Sequence, residues 1–147
     1  MSNGTKVKKR DGRIEALDLE KMHLMVEEAT RGLAGVSASQ VEMKSGIQFY
    51  DGITTAEIQE ILIKAASDLI DLDHPNYQFV AARLLLFALR KQLYGKMREM
   101  PHLEPHIMNC TNIDVYDKEI FAKYSKEEID KANSFIDHDR DFLFTYA

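Results

Sequence analysis

VKKRDGRIEALDLEKMH, residues 7–23, is the stretch that decides the fold class. Asp11-Gly12 stands between two short alternating runs, and glycine accepts the positive φ that a two-residue hairpin turn needs. Asp18 then caps a predicted helix from Leu19 to about Arg31. Its apolar positions Met22, Met25, Val26 and Ala29 follow helical spacing, and Gly32 supplies a left-handed stop. A hairpin feeding a capped amphipathic helix implies an α+β domain. The hairpin is also basic: between Lys6 and Arg13 five of eight residues are cationic, and only Asp11 opposes them. Two readings are open. The cations keep an edge strand from pairing with other chains, or they clamp an anionic ligand.

The surrounding chain bounds these readings. Its 147 residues are 45% hydrophobic and 29% charged, with net charge −5. Those values fit one soluble domain, or a small domain with part of another. No apolar run approaches the ~20 residues of a membrane helix, and the start MSNGTKVKKRDG lacks the apolar core of a signal peptide. One cysteine, Cys110, forms no internal disulfide, which points to a reducing cytoplasm. Mild acidity argues against duplex DNA as the main partner. Residues 1–95 carry 12 basic and 13 acidic side chains, and residues 96–147 carry 7 and 11. The change falls at YGKMREMPHLEPH, where Gly95, Pro101 and Pro105 read as a helix stop and a linker over 96–106.

Three more helices are predicted before that linker. Ser37 and Gln40 form a capping box for a short helix burying Val41 and Ile47. Ile47–Tyr50 reads as a short third strand before the turn at Asp51-Gly52. Thr54-Thr55-Ala56-Glu57 is a second capping box, opening a helix with the stripe Ile58, Ile61, Leu62, Ala65 and Leu69. The fourth helix starts at Pro75 and runs to about Tyr94. It is apolar nearly all round apart from Arg83 and Arg90-Lys91, so it reads as the central core helix.

Several polar groups stand out on this frame. The hairpin offers Lys9, Arg10 and Glu15, and the first helix offers Asp18 and Lys21. Thr55 and Gln59 lie one turn apart at a helix N-terminus, a natural place for an anion, although Glu57 and Glu60 nearby oppose one. Phe87 and Lys91, also one turn apart, pair an aromatic surface with a cation. Spacing alone leaves a nucleotide site as one reading among several.

With VEMKSGIQFYDGITTAEIQEILIKAASDLI and HPNYQFVAARLLLFALRKQLYG, residues 5–95 resemble the ATP-cone, the regulatory module at the N-terminus of ribonucleotide reductase large subunits. The segments PNYQFVAARLLLFALRK and FIDHDRDFLFTYA look most like the aerobic class I enzymes that reduce ribonucleoside diphosphates. The resemblance implies a four-helix bundle capped by a short three-stranded β-sheet. That bundle would bind ATP, which permits activity, or dATP, which shuts the enzyme down, each as a magnesium complex. By motif position Lys9, Arg10 and Lys91 would hold phosphates, with Thr55 and Gln59 assisting. Glu15 and Asp18 would read adenine. Val7, Leu17, Met22 and Ile58 would line its apolar slot beside Phe87, and Lys21 would sit at the rim. Gln59 and Asp18 stand where the best-known bacterial pattern often has histidine and asparagine. Glutamine donates a hydrogen bond but carries no charge, so its grip on phosphate is expected to be weaker.

The resemblance further implies that residues 107–147 are the helical start of the reductase's next domain. The implied partners are the remainder of the large subunit, a second large subunit and a radical-generating small subunit. Glu42 to Asp51 and Glu57 are the candidate contact surface. Reductase chemistry needs several cysteines on a large barrel, so the chain is expected to be a fragment that binds nucleotide and catalyses nothing. Two rivals differ in class. One is a transcriptional repressor carrying an ATP-cone behind a four-cysteine zinc ribbon, whose cysteines are absent here. The other is a helical adaptor whose hairpin binds an acidic protein. Asp137-His138-Asp139-Arg140-Asp141 reads as a solvated helix face, His102 and His106 as linker histidines split by Pro105, and Cys110 as an inert thiol.

Overall fold

The computed structural model describes residues 4–146. Outside them lie Met1–Asn3, which open the expected first domain and the start read as leaderless, and Ala147, which ends the expected third segment. The chain divides into two compact units. The first runs through Leu89 and takes in the C-terminal stretch from Phe142; the second runs from Arg90 to Asp141.

The first unit begins with β1 (Lys6–Lys8) and β2 (Ile14–Ala16), paired antiparallel with Val7 opposite Glu15. The predicted hairpin is present, but its turn is longer than the two-residue form. Lys9 N–H donates to Arg13 O at 2.8 Å and Gly12 N–H to Lys9 O at 3.0 Å. Arg10, Asp11 and Gly12 therefore make the loop, and only Gly12 takes a positive φ, 86°. That is a turn closed by one left-handed residue, and it needs glycine at a single position.

Helix α1 (Leu19–Thr30) is capped by Asp18, whose carboxylate accepts the Lys21 N–H at 2.9 Å. It buries Met22, Val26 and Ala29. In α2 (Ala38–Gly46) Val41 is buried as expected, but the Ser37 side chain makes no capping bond. Instead the Tyr77 hydroxyl bridges the two residues of the predicted box. It accepts the Ser37 N–H at 3.0 Å and donates to Gln40 Oε1 at 3.2 Å.

Ile47–Tyr50 is not a strand, and Ile47 is 86% exposed rather than buried. Gln48 N–H donates to Ser45 O and Phe49 N–H to Gly46 O, which prolongs the helical turn. The third strand, β3 (Ile53–Thr54), follows the Asp51-Gly52 turn. The reason lies in the turn itself. Asp51 Oδ1 accepts the Lys6 N–H at 2.8 Å, and Gly52 N–H donates to Lys6 O at 2.8 Å. Pairing with β1 can therefore begin only after Gly52. It is parallel, with Val7 opposite Ile53 and Lys8 opposite Thr54, in a sheet of order β2-β1-β3.

Helix α3 (Thr55–Ser67) and helix α4 (Tyr77–Tyr94) complete the predicted four. The more enclosed is α3, which buries six of its 13 residues against six of 18 in α4. Helix α4 buries Tyr77, Val80, Ala81, Leu84 and Phe87 but leaves Leu85 and Leu89 half exposed, so it is amphipathic. Arg83 reaches the end of α1, where Nη1 donates to Ala29 O at 3.2 Å and Arg31 O at 2.8 Å. Its guanidinium lies over the Phe142 ring, 5.3 Å from the centroid. Desolvation pulls the Arg83 pKa below its ordinary value, a cost offset by carbonyls that helix geometry leaves without partners.

In the second unit, α5 (Leu103–Asn112) starts inside the stretch expected to be linker. Pro105 sits in its first turn, where the missing N–H costs nothing, so His106 and Cys110 share one continuous helix. Helix α6 (Glu119–Lys123) is short, and α7 (Lys126–Asn133) begins with the predicted Ser125–Glu128 capping box. Ile129 is buried, but Phe135 is 78% exposed because the helix ends before it. The acidic run becomes part of a 3₁₀ helix, His138–Leu143. Among the described residues no helix is long and apolar enough to cross a membrane.

Candidate functional site

The parallel register between β1 and β3 builds the candidate site. Lys8 stands opposite Thr54, which is the N-cap of α3. The next residue on each segment is a candidate ligand: Lys9 leads into the hairpin loop and Thr55 starts the helix. The antiparallel pairing sets Glu15 across from Val7 on the other side. Basic hairpin and helix N-terminus thus meet through two backbone ladders.

The charges are already organised. Lys9 Nζ lies 3.4 Å from Glu15 Oε2, and Arg13 Nη1 lies 3.3 Å from Glu15 Oε1. Arg13 Nε also donates to Asp11 at 2.6 Å. Its backbone and side-chain hydrogen bonds hold the Asp11 carboxyl below the usual range, and Asp11 in turn raises Arg13. Arg10, at the tip, is exposed.

At the start of α3 an anion is already present. Glu57 accepts from the Thr54 hydroxyl at 2.7 Å, the Thr54 N–H at 2.8 Å and the Tyr50 hydroxyl at 2.8 Å. Those bonds, the Thr54 hydroxyl foremost, lower the Glu57 pKa. Tyr50 is raised by the same contact. The sequence shows the capping box, but neither Tyr50 nor the Asp51 clamp on Lys6 carries a local signal beyond the Asp-Gly turn. Gln59 is buried, and among the described residues its side-chain amide makes no hydrogen bond. Thr55 is half-buried.

Val7, Met22 and Ile58, expected as an apolar slot, are all buried, while Leu17 is partly exposed. Asp18, expected to face adenine, caps α1 through Oδ1, and Lys21 is exposed on that helix. Phe87 is buried with its ring edge-on to Phe142, centroids 6.2 Å apart. Lys91 follows it by one turn on α4 and belongs to the second unit. Among the described residues no group of three or more His, Cys, Asp or Glu side chains could hold a metal. Asp141 instead accepts from Arg90 at 2.8 Å.

A family model described as the ATP cone domain matches residues 5–92, from β1 to the last turns of α4. The chain belongs to the ATP cone family. Its relatives share more than the ATP cone, because similarity runs the full length. It is 48% identical over 147 residues to the ribonucleoside-diphosphate reductase 1 subunit alpha of Escherichia coli (strain K12), covering 100% of this chain and 19% of that protein. The ribonucleoside-diphosphate reductase subunit alpha of Haemophilus influenzae is 46% identical over the same span, also 19% of its length. That of Enterobacteria phage T4 is 41% identical over 141 residues, 95% of this chain and 18% of its own. This ATP cone chain therefore spans about a fifth of the length of these relatives.

Proposed function

We propose that residues 5–92 bind ATP or dATP, as magnesium complexes, and act as the allosteric activity switch of a ribonucleoside-diphosphate reductase large subunit. One observation carries the reading: the family match covers the hairpin, the α3 N-terminus and α4 without interruption. The β1–β3 register supports it by bringing Lys9 and Thr55 out of one ladder. Lys9 and Arg10 supply charge-assisted contacts to phosphate, with Thr55 and Gln59 as neutral donors. Glu15 and Asp18 accept from the adenine amino group. Val7, Leu17, Met22, Ile58 and Phe87 form the apolar side of the site, with Lys21 at its rim. Lys91 enters through the family match alone, as a further phosphate cation.

ATP permits and dATP suppresses reduction in the whole protein, an oxidoreductase of deoxyribonucleotide synthesis in the cytoplasm. Its partners are a second large subunit and the radical-generating small subunit. The chain holds one cysteine, so radical and dithiol chemistry lies elsewhere in that protein. An effector can bias activity only through differential affinity for two arrangements. The segment from Glu42 to Asp51, with Glu57, is the part we assign to that change, meeting a neighbouring subunit.

Thermal melting with millimolar MgATP, MgdATP and MgGTP tests the reading, because a ligand bound only to the folded state raises the melting temperature. The adenine nucleotides should raise it more than GTP. No shift with either would overturn the proposal. Hydrogen exchange at residues 42–60 should then differ between ATP and dATP, and identical protection would remove the switch from this segment.

A further inference from the structure

We propose that Tyr50 is a positioning residue for the nucleotide site, an inference that rests on the nucleotide reading of residues 5–92. Its hydroxyl latches the segment between α2 and β3 to Glu57, and phosphate arriving at the start of α3 releases it. The latch is a single bond. Tyr50 Oη donates to Glu57 Oε1 at 2.8 Å, and among the described residues no other side chain of residues 47–50 hydrogen-bonds to α3. Just past Tyr50 the chain is fixed to β1 instead. Asp51 Oδ1 accepts the Lys6 N–H and Gly52 N–H donates to Lys6 O, each at 2.8 Å. Residues 47–50 therefore lie outside the β1–β3 ladder, and Tyr50 is their bonded link to the helix.

Glu57 divides its carboxylate between two tasks. Oε2 accepts from the Thr54 N–H at 2.8 Å and the Thr54 hydroxyl at 2.7 Å, inside the capping box, while Oε1 accepts from Tyr50. The Thr54 hydroxyl foremost lowers the Glu57 pKa, so an anion occupies this helix end at neutral pH. Phosphate held by Lys9 and Thr55 brings further negative charge to the same end. There the two anions share one positive potential and repel each other. The Thr54 bonds are local and keep Oε2 in place. The Tyr50 bond spans seven residues and is open to solvent, since Tyr50 is 52% exposed, so water can replace it at modest cost. It is the contact that yields. The segment that carries Ile47, itself 86% exposed, is then free of the start of α3. Linkage makes the effect reciprocal: if nucleotide weakens the latch, loss of the latch strengthens nucleotide binding by the same factor.

The test is carbon-13 NMR of the 147-residue chain labelled at tyrosine Cζ, the ring carbon that carries the hydroxyl, with Tyr50 assigned through its own backbone. Saturation with MgATP or MgdATP, verified by a raised melting temperature, should move the Tyr50 resonance toward that of a solvated phenol. Tyr50→Phe should bind MgdATP about fivefold more tightly in isothermal titration, the equivalent of one modest hydrogen bond. A residue that only supports the fold would give equal or weaker binding when removed. The resonance needs no variant, so it decides the matter even if Tyr50→Phe fails to fold. A raised melting temperature with an unmoved Tyr50 resonance would overturn the latch and leave nucleotide binding intact. Tyr50→Phe that binds no more tightly than wild type would do the same. No rise in melting temperature with either nucleotide would remove the binding reading, and the latch with it.

Discussion

Lys9 and Glu15 face each other across the hairpin at 3.4 Å. In the proposed site one reads phosphate and the other reads adenine, so each holds its partner until nucleotide arrives. Binding must exchange that contact for new ones. Lys9→Ala should weaken ATP and dATP together, by about 1.5–3 kcal/mol for a lost charge-assisted hydrogen bond. Glu15→Gln should instead reduce discrimination between ATP and GTP while freeing Lys9. Calorimetry on both variants checks this; a Glu15→Gln protein with unchanged discrimination would reverse the assigned roles.

His23 links α1 to α2, its Nδ1–H donating to Glu42 Oε1 at 2.7 Å. That hydrogen bond, then the Glu42 charge, raises the His23 pKa above its ordinary 6.5. A raised histidine stabilises the fold fully below the unfolded value and loses its contribution as pH climbs through the folded one. Wild type should therefore melt above His23→Gln below pH 6.5, and the two should converge above the raised pKa. Paired melting curves across that range measure it, and a constant difference would contradict it.

Thr54 and Glu57 satisfy each other at the start of α3. Thr54→Ala removes the cap and should cost about 1 kcal/mol, within the range of roughly 0.5–2 for such sites. Glu57 has a lowered pKa, so its contribution is present above the ordinary 4.5 and fades as pH falls through the lowered value. Urea unfolding of Glu57→Gln should differ from wild type at neutral pH and match it once wild-type Glu57 is protonated.

In the second unit Arg90 is buried and bonded to Asp141 at 2.8 Å and to His138 O at 3.3 Å. Asp141→Ala removes the carboxylate from that buried guanidinium and should destabilise by about 1.5–3 kcal/mol, the range for a lost hydrogen bond to a charged group. Asp139→Ala, at an exposed neighbour, should stay within about 0.5 kcal/mol. Chemical denaturation separates them, and equal effects would show that the acidic run acts only through its overall charge.

Where structure depends on neighbours in sequence, it was legible. The hairpin, the Asp18 cap, the Thr54 and Ser125 capping boxes and the left-handed Gly32 all follow from residues within one turn of each other. What failed depends on distant partners. Ser37 is served by Tyr77, forty positions away, and β3 is displaced past Gly52 because Asp51 binds the Lys6 backbone. The exposed face of α4 is equally invisible to composition, since leucines at positions 85 and 89 look like core residues until packing is known. For the site, residue types could be collected from spacing, but the β1–β3 register that sets Lys8 opposite Thr54, one residue before each of Lys9 and Thr55, could not.

Isothermal titration of the 147-residue chain with MgATP, MgdATP and MgGTP measures nucleotide binding itself. Both adenine nucleotides should fill one saturable site at micromolar affinity, on the order of −8 kcal/mol, with GTP bound more weakly. No heat with millimolar ATP or dATP, or equal binding of all three, would contradict it.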